Sequence, residues 1–301
     1  MPEKKTQDML GREANMAILK KERKANNAWN KLKRNRSAVI GFIIVCVMIF
    51  LAVFAPVLAP YDPNAIAPAI PYKGIGLEGH LLGTDDLGRD ILSRILYGAR
   101  VSLIVAVGAT IVGAVIGVLI GLLAGYFGGW LDVVLMRFMD GMFSYPFILL
   151  AMILITVLGN GVWNVILAIG IANVPSFARV TRGQVVIVKE EEYCNACRVV
   201  GVSDLRLLFL HILPNCVSQI IVYATLRVAS AIISEASLSF LGLGIALPTA
   251  SWGSILRVGR ECLTTAPHVA TTAGLFILVT VIGFNLLGDG IRDIMDPKMK
   301  Q

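Results

Sequence analysis

Four residues at the spacing of metal ligands stand out first: Cys194-x2-Cys197, then His211 and Cys216. Two cysteines three apart, followed by a histidine and a further cysteine, match the donor set that holds tetrahedral zinc. Pro214 separates His211 from Cys216, however, and Cys216 opens an apolar run. Small side chains buried at a helix contact account for the four more simply, and no metal is expected. Phosphate-loop chemistry is missing as well. No Gly-x4-Gly-Lys-Ser/Thr loop occurs, and the glycine-rich stretch 121–129 contains no lysine. No nucleophile–base set marks an enzyme. What remains are charges in apolar surroundings. Arg137 and Asp140 are spaced i,i+3 and can pair on one helix face. Arg227 and Glu235 lie eight residues apart in one apolar run, about 12 Å along a helix, too far to pair directly. At about 2–3 kcal/mol each near the middle of a bilayer, they are expected to face a partner chain or a watery path. Glu235 as a proton carrier is the further idea, on the thin evidence of a lone acid.

These residues sit in a chain built for a bilayer. Of 301 residues, 56% are hydrophobic and only 16% charged, against about 25% charged in soluble domains. The apolar residues come in runs of about 20, the length that crosses the hydrocarbon core as a helix. Six spans are predicted: 38–58, 101–125, about 132–158, about 162–178, about 216–241 and 269–288. Residues 141–178 carry no charge over 38 positions, too long for one crossing, and Gly159-Asn160-Gly161 divides them. The fifth span is the weakest, because it holds Arg227 and Glu235, and its alternative is a re-entrant or peripheral helix. The first run follows 37 residues and is 21 long, so it reads as an anchor rather than a cleavable leader. Glycines 113, 117, 121 and 125 form the small-xxx-small pattern of tightly packed membrane helices, with the partner helix left open.

Charge sets the orientation. Residues 1–37 contain 11 Lys/Arg and 4 Asp/Glu, and the remaining 16 of each sign cancel. A basic arm beside a span holds its end in the cytoplasm rather than binding nucleic acid. With both termini inside, the inner segments carry 19 Lys/Arg and the outer ones 6. The organisation is therefore a basic segment 1–37, a first helix and outer segment 38–100, a core 101–288 with an inner loop 183–215, and a tail 289–301. In the outer segment, Thr84 or Asp86 is expected to cap a helix running to Arg100, with Asp90 and Arg94 paired on it. Five scattered cysteines make no disulfide framework.

The inner loop reads as helix–turn–helix. Tyr193, Ala196, Cys197 and Val200 share one face at i, i+3, i+4, i+7. Gly201 supplies the stop, Ser203 the next N-cap, and Leu205, Leu208, Phe209 and Ile212 repeat the pattern. Pro214 closes the unit. Leu207, Leu210 and Leu213 add a second apolar stripe, so this arm must bury itself, either against its own bundle or in a partner. Periodicity does not separate the two.

Residues 192–201, followed by Ile212-Leu213-Pro214-Asn215, resemble the EAA loop of ATP-binding-cassette importer permeases. Residues 83–90, 124–129, 235–244 and 284–293 resemble one branch, the second permease of dipeptide/oligopeptide importers. The likeness spans about residues 30–298. It implies an all-α type I importer domain with both termini inside, multi-pass in a prokaryotic inner or plasma membrane and embedded in its lipid. It also implies a second permease, two cytoplasmic ATP-binding subunits holding ATP and Mg, and an extracytoplasmic solute-binding protein. This chain itself would be non-catalytic and bind no cofactor. The coupling residues it implies are Glu192, Tyr193, Ala196, Arg198, Gly201, Asp204, Leu213 and Pro214, with Asn195 and Cys197 standing where the family often has Glu and Ala. The implied solute is a short peptide, with nickel or another small solute as the alternative. An ion-coupled secondary transporter would need more helices or an inverted repeat, and none is visible. A membrane scaffold without a path is the other rival.

Overall fold

Two glycine-to-helix contacts decide how this chain is threaded, and both rest on helices that a computed structural model describes for residues 35–77 and 79–295. Most of the basic segment 1–37 and part of the tail lie outside the described residues. The helices are α1 (Arg36–Val53), α2 (Ala55–Leu58), α3 (Ile91–Phe127), α4 (Gly129–Phe143), α5 (Phe147–Leu158), α6 (Val162–Val188), α7 (Glu192–Val199), α8 (Asp204–Leu207), a π turn (Leu208–Ile212), α9 (Leu213–Phe240), α10 (Trp252–Glu261) and α11 (Pro267–Met295). Among the described residues the only β pairing is two isolated bridges.

Five helices are long and apolar enough to cross a membrane: α1, α3, α6, the continuous α8–α9 rod and α11. The expected third span is instead two helices, α4 and α5, bent by 91°. Pro146 sits at the elbow. It lacks an N–H and pushes Tyr145 out of the helical region, so the charge-free run cannot continue straight.

Whether this elbowed pair crosses is settled by its neighbours. Carbon added at Gly113, Gly117, Gly121 and Gly125 of α3 would meet, in turn, Asn173, Phe177, Thr181 and Val185 of α6, at 2.5 to 2.9 Å. The rising order on both helices makes α3 and α6 parallel and nearly backbone-to-backbone. The glycine stripe thus has its partner inside this chain. Parallel neighbours need a return path, and only α4 and α5 lie between them, so the pair brings the chain back across. That gives six crossings. Gly41 of α1 touches Leu287 of α11 while Gly283 touches Ile44, so these two run antiparallel. Asn35 Nδ2 donates to Asp293 Oδ2 at 2.9 Å, which puts both ends of the described chain on one side.

Other boundaries moved for identifiable reasons. The first span breaks at Phe54, just before Pro56. The fourth continues past residue 178 to Val188 with Pro175 inside it. The helix expected to be capped by Thr84 or Asp86 starts at Ile91, capped by Asp90, whose Oδ2 accepts from Ser93 N at 2.7 Å. Thr84 is engaged elsewhere, donating to the Ile70 carbonyl at 2.6 Å. Nor do Asp90 and Arg94 pair. Asp90 takes buried His80 at 2.8 Å, while Arg94 reaches Asp85 at 3.5 Å and the Pro63 carbonyl at 2.9 Å. Asp85 also holds Arg89 at 2.7 Å. This folded polar plug seals the start of α3 over a core of Ile91, Ile95, Ile232, Trp252 and Val269.

Candidate docking hairpin and buried polar site

The inner loop folds as a hairpin whose bend is a Schellman closure. Val202 N–H donates to the Cys197 carbonyl and Gly201 N–H to that of Arg198, each at 3.0 Å. Gly201 takes φ +82°, the left-handed conformation the closure needs. Ser203 stands at the next N-cap position but its side chain makes no capping bond.

The second arm differs from expectation. After one α turn it widens into the π turn, where Leu213 N–H bonds to the Leu208 carbonyl, and then runs straight into α9. Pro214 therefore does not close the unit. It sits in the first turn of α9, where its missing N–H is absorbed by the widened hydrogen-bonding pattern.

One side of the hairpin is welded to the bundle. Cys194, Leu207, Leu208, Ile212 and Cys216 form a cluster with Leu122 of α3 and Val185 of α6. Cys194 and Cys216 pack here as small apolar groups, and Cys194 Sγ donates to the Val188 carbonyl at 3.4 Å. The buried side of α7 is thus Cys194 with Cys197 beside it, rather than the expected stripe through Ala196 and Val200. Polar ties reinforce the weld. Tyr126 Oη donates to Asp204 Oδ1 at 2.5 Å, and Lys189 Nζ to the Gly125 carbonyl at 3.0 Å. Asn215 Nδ2 donates to Tyr193 Oη at 3.0 Å. Partial burial, then Cys194 and Glu191, push the Tyr193 phenol up to about 12, so it remains neutral.

The opposite side is bare. Val199 is 88% exposed and Val200 83%, and Leu205 and Leu210 are exposed beside them. Glu192, Ala196 and Pro214 also face outward, and Leu213 is half-buried. Arg198 donates to Asn195 at 3.0 Å.

The charges near the spans find partners that spacing did not suggest. Asp140 is held by Arg179 of α6 at 2.6 Å rather than by Arg137, which is exposed. Arg182 forks onto both oxygens of Asp132 at 2.5 and 2.6 Å. These two pairs fix α4 to α6, and Arg179 also lies 4.1 Å over the Phe143 ring. Separations of 39 and 50 residues leave no trace in a single sequence.

Arg227 lies 4.8 Å over the Tyr223 ring, and its Nε donates to Tyr223 Oη at 2.7 Å. Glu235 is not on a surface at all. It is 0% exposed within this chain, accepting from Ser102 Oγ at 2.9 Å and Ser239 Oγ at 2.8 Å. Ser102 Oγ in turn accepts the Trp252 N–H at 3.2 Å, at the start of α10, where Ser251 and Ser254 form a capping box. The acid therefore ties α3, α9 and α10 together, and its two hydroxyl donors replace the water it lost. Within this chain its carboxylate is closed off from solvent and held by hydroxyls. Among the described residues no group of three His, Cys, Asp or Glu can hold a metal ion.

Residues 117–301 match the family described as the binding-protein-dependent transport system inner membrane component. Residues 25–74 match the N-terminal transmembrane domain of oligopeptide transport permease C. The glutathione transport system permease protein GsiD of Escherichia coli O157:H7 is 46% identical over 273 residues, covering 90% of each chain. Its counterpart in Shigella flexneri serotype 5b is 47% identical over the same span. An inward-facing structure of the MetNI methionine ABC transporter shares the fold, with a TM-score of 0.55 and 19% identity, over 68% of this chain and 96% of that one. By these matches the six-crossing chain belongs to the inner membrane component family of binding-protein-dependent transport systems, as a non-catalytic, multi-pass permease subunit of an ATP-binding-cassette importer.

Proposed function

We propose that this chain, paired with a second permease, forms the path by which a short peptide enters the cytoplasm, driven by two ATPase subunits that grip the 192–213 hairpin. The observation that carries this reading is the hairpin's two-sidedness. One side is anchored by Leu207, Leu208 and Ile212, while Val199 and Val200 stand bare at its tip. A bundle that merely buried its own loop would cover both sides, and a bare apolar tip on the basic side asks for a partner. Closure of the ATPases around ATP and Mg moves the hairpin, and with it the inner ends of α3 and α6. An extracytoplasmic binding protein delivers the solute. A peptide-like solute is supported by 46% identity to glutathione permeases.

The test is a bifunctional thiol cross-linker on the assembled complex, with cysteine placed at Val200. Capture of an ATPase subunit, modulated by ATP, is the expected result, together with ATP-dependent uptake of labelled glutathione or dipeptide into proteoliposomes. Cross-links confined to this chain's own bundle would sink the hairpin's assigned role.

A further inference from the structure

A furrow of about 500 Å³ runs between α1, α3 and α6, on the half of the bundle nearest the 59–90 segment. Its walls are Ile49 and Val53 of α1 and Ile104, Val107 and Ile111 of α3. From Arg100 at the mouth to Ile111 at the foot is eleven residues of one helix, about 17 Å, or half of a hydrocarbon core of about 30 Å. The furrow is one leaflet deep.

Arg100 is the single charged residue lining it. The side chain is exposed, and among the described residues it has no hydrogen-bond or ion-pair partner. Arg257 and Arg260, on α10, do not line the furrow, and neither does any acid. On the first turn of α6 and lining the same furrow, Trp163 is 75% exposed. The α3–α6 pairing places it within about one turn of the level of Arg100. A tryptophan at that level is an interfacial anchor. An unpaired guanidinium there presents a planar fork suited to phosphate.

An apolar slot one leaflet long, with a lone cation at its interfacial end, has the shape and charge of half a lipid. We propose that the furrow is a binding site for one anionic phospholipid of that leaflet, with an acyl chain between α1 and α3 and the headgroup phosphate on Arg100. Such a lipid fills the gap along α1, only 28% of which is buried in the bundle, and holds it against α3. This depends on the chain lying in a bilayer and not on the identity of the solute.

The test uses the complete importer in nanodiscs of equal phosphatidylglycerol and phosphatidylcholine, followed by gentle delipidation and native mass spectrometry of intact complexes. Wild type should retain phosphatidylglycerol in preference to phosphatidylcholine. Arg100→Gln should lower that preference about five-fold, the worth of one basic residue at a membrane surface, while leaving total lipid nearly unchanged. Val107→Trp should fill the slot and reduce retention of both lipids. Equal retention by wild type and both variants would overturn the proposal. So would a photo-reactive side chain at Ile104 that captures the second permease rather than lipid, since the furrow would then be a protein interface.

Discussion

The Tyr126 phenol meets the Asp204 carboxylate at 2.5 Å across 78 residues of sequence, joining the inner end of α3 to the first turn of the hairpin's second arm. A hydrogen bond to a charged group at a partly exposed site contributes about 1 kcal/mol. Tyr126→Phe should therefore leave insertion and ATPase docking intact but loosen the link between hairpin motion and α3. In proteoliposomes, solute moved per ATP hydrolysed should fall about two- to five-fold. Asp204→Asn keeps an acceptor oxygen and should fall less.

Gly201 separates strain from crowding. No atom lies within 4 Å of a carbon added there, so only its left-handed backbone resists substitution. Gly201→Val should cost about 1–2 kcal/mol and weaken co-purification of the ATPase subunits about ten-fold. Gly201→Asn should lose far less, because asparagine tolerates that conformation. Equal losses from both would point to a contact rather than a bend.

Gly117 tests the opposite case. An added carbon would stand 2.5 Å from Phe177 Cβ and 2.6 Å from the Val174 carbonyl, so α3 and α6 would have to part. Gly117→Ala should lower stability by about 1–3 kcal/mol, read as a fall in thermal unfolding temperature in detergent. Gly141 of α4 has open space around it, and Gly141→Ala should be neutral or stabilising by about 0.5–1 kcal/mol.

Glu235 offers a direct choice between binding helices together and carrying protons. Glu235→Gln keeps the shape and one acceptor oxygen, and the serine hydroxyls can rotate to take its amide. Stability and uptake should both stay near wild type. Glu235→Leu strands Ser102 and Ser239 and should cost about 1–3 kcal/mol. A folded Gln variant without uptake would mean the carboxylate itself takes part in transport.

The long spans were legible because bilayer chemistry writes them locally, as charge-free runs of about twenty residues. The α3 glycines announced a tight contact but not its partner, since the matching face of α6 begins some sixty positions later. Pro146 did carry a signal for the elbow, and the heavier Gly159–Gly161 break overshadowed it. Ser239 likewise lay one helical turn past Glu235, a readable hint that the acid is satisfied within its own bundle. Ser102, 133 residues away, was not readable. The hairpin's bend followed from Gly201 alone, while the burial of Cys194 in preference to Ala196 depends on where Leu122 and Val185 happen to stand.

The widened turn at Leu208–Ile212 leaves the rod between Asp204 and Phe240 with one residue more than a regular helix would use. That surplus offsets everything before it by about 100° of rotation relative to everything after. Deleting a single residue from this stretch would restore four-apart hydrogen bonding while keeping the angular phase between the hairpin and Arg227. The polypeptide thus stores one surplus residue at the junction between the hairpin and the span that follows it.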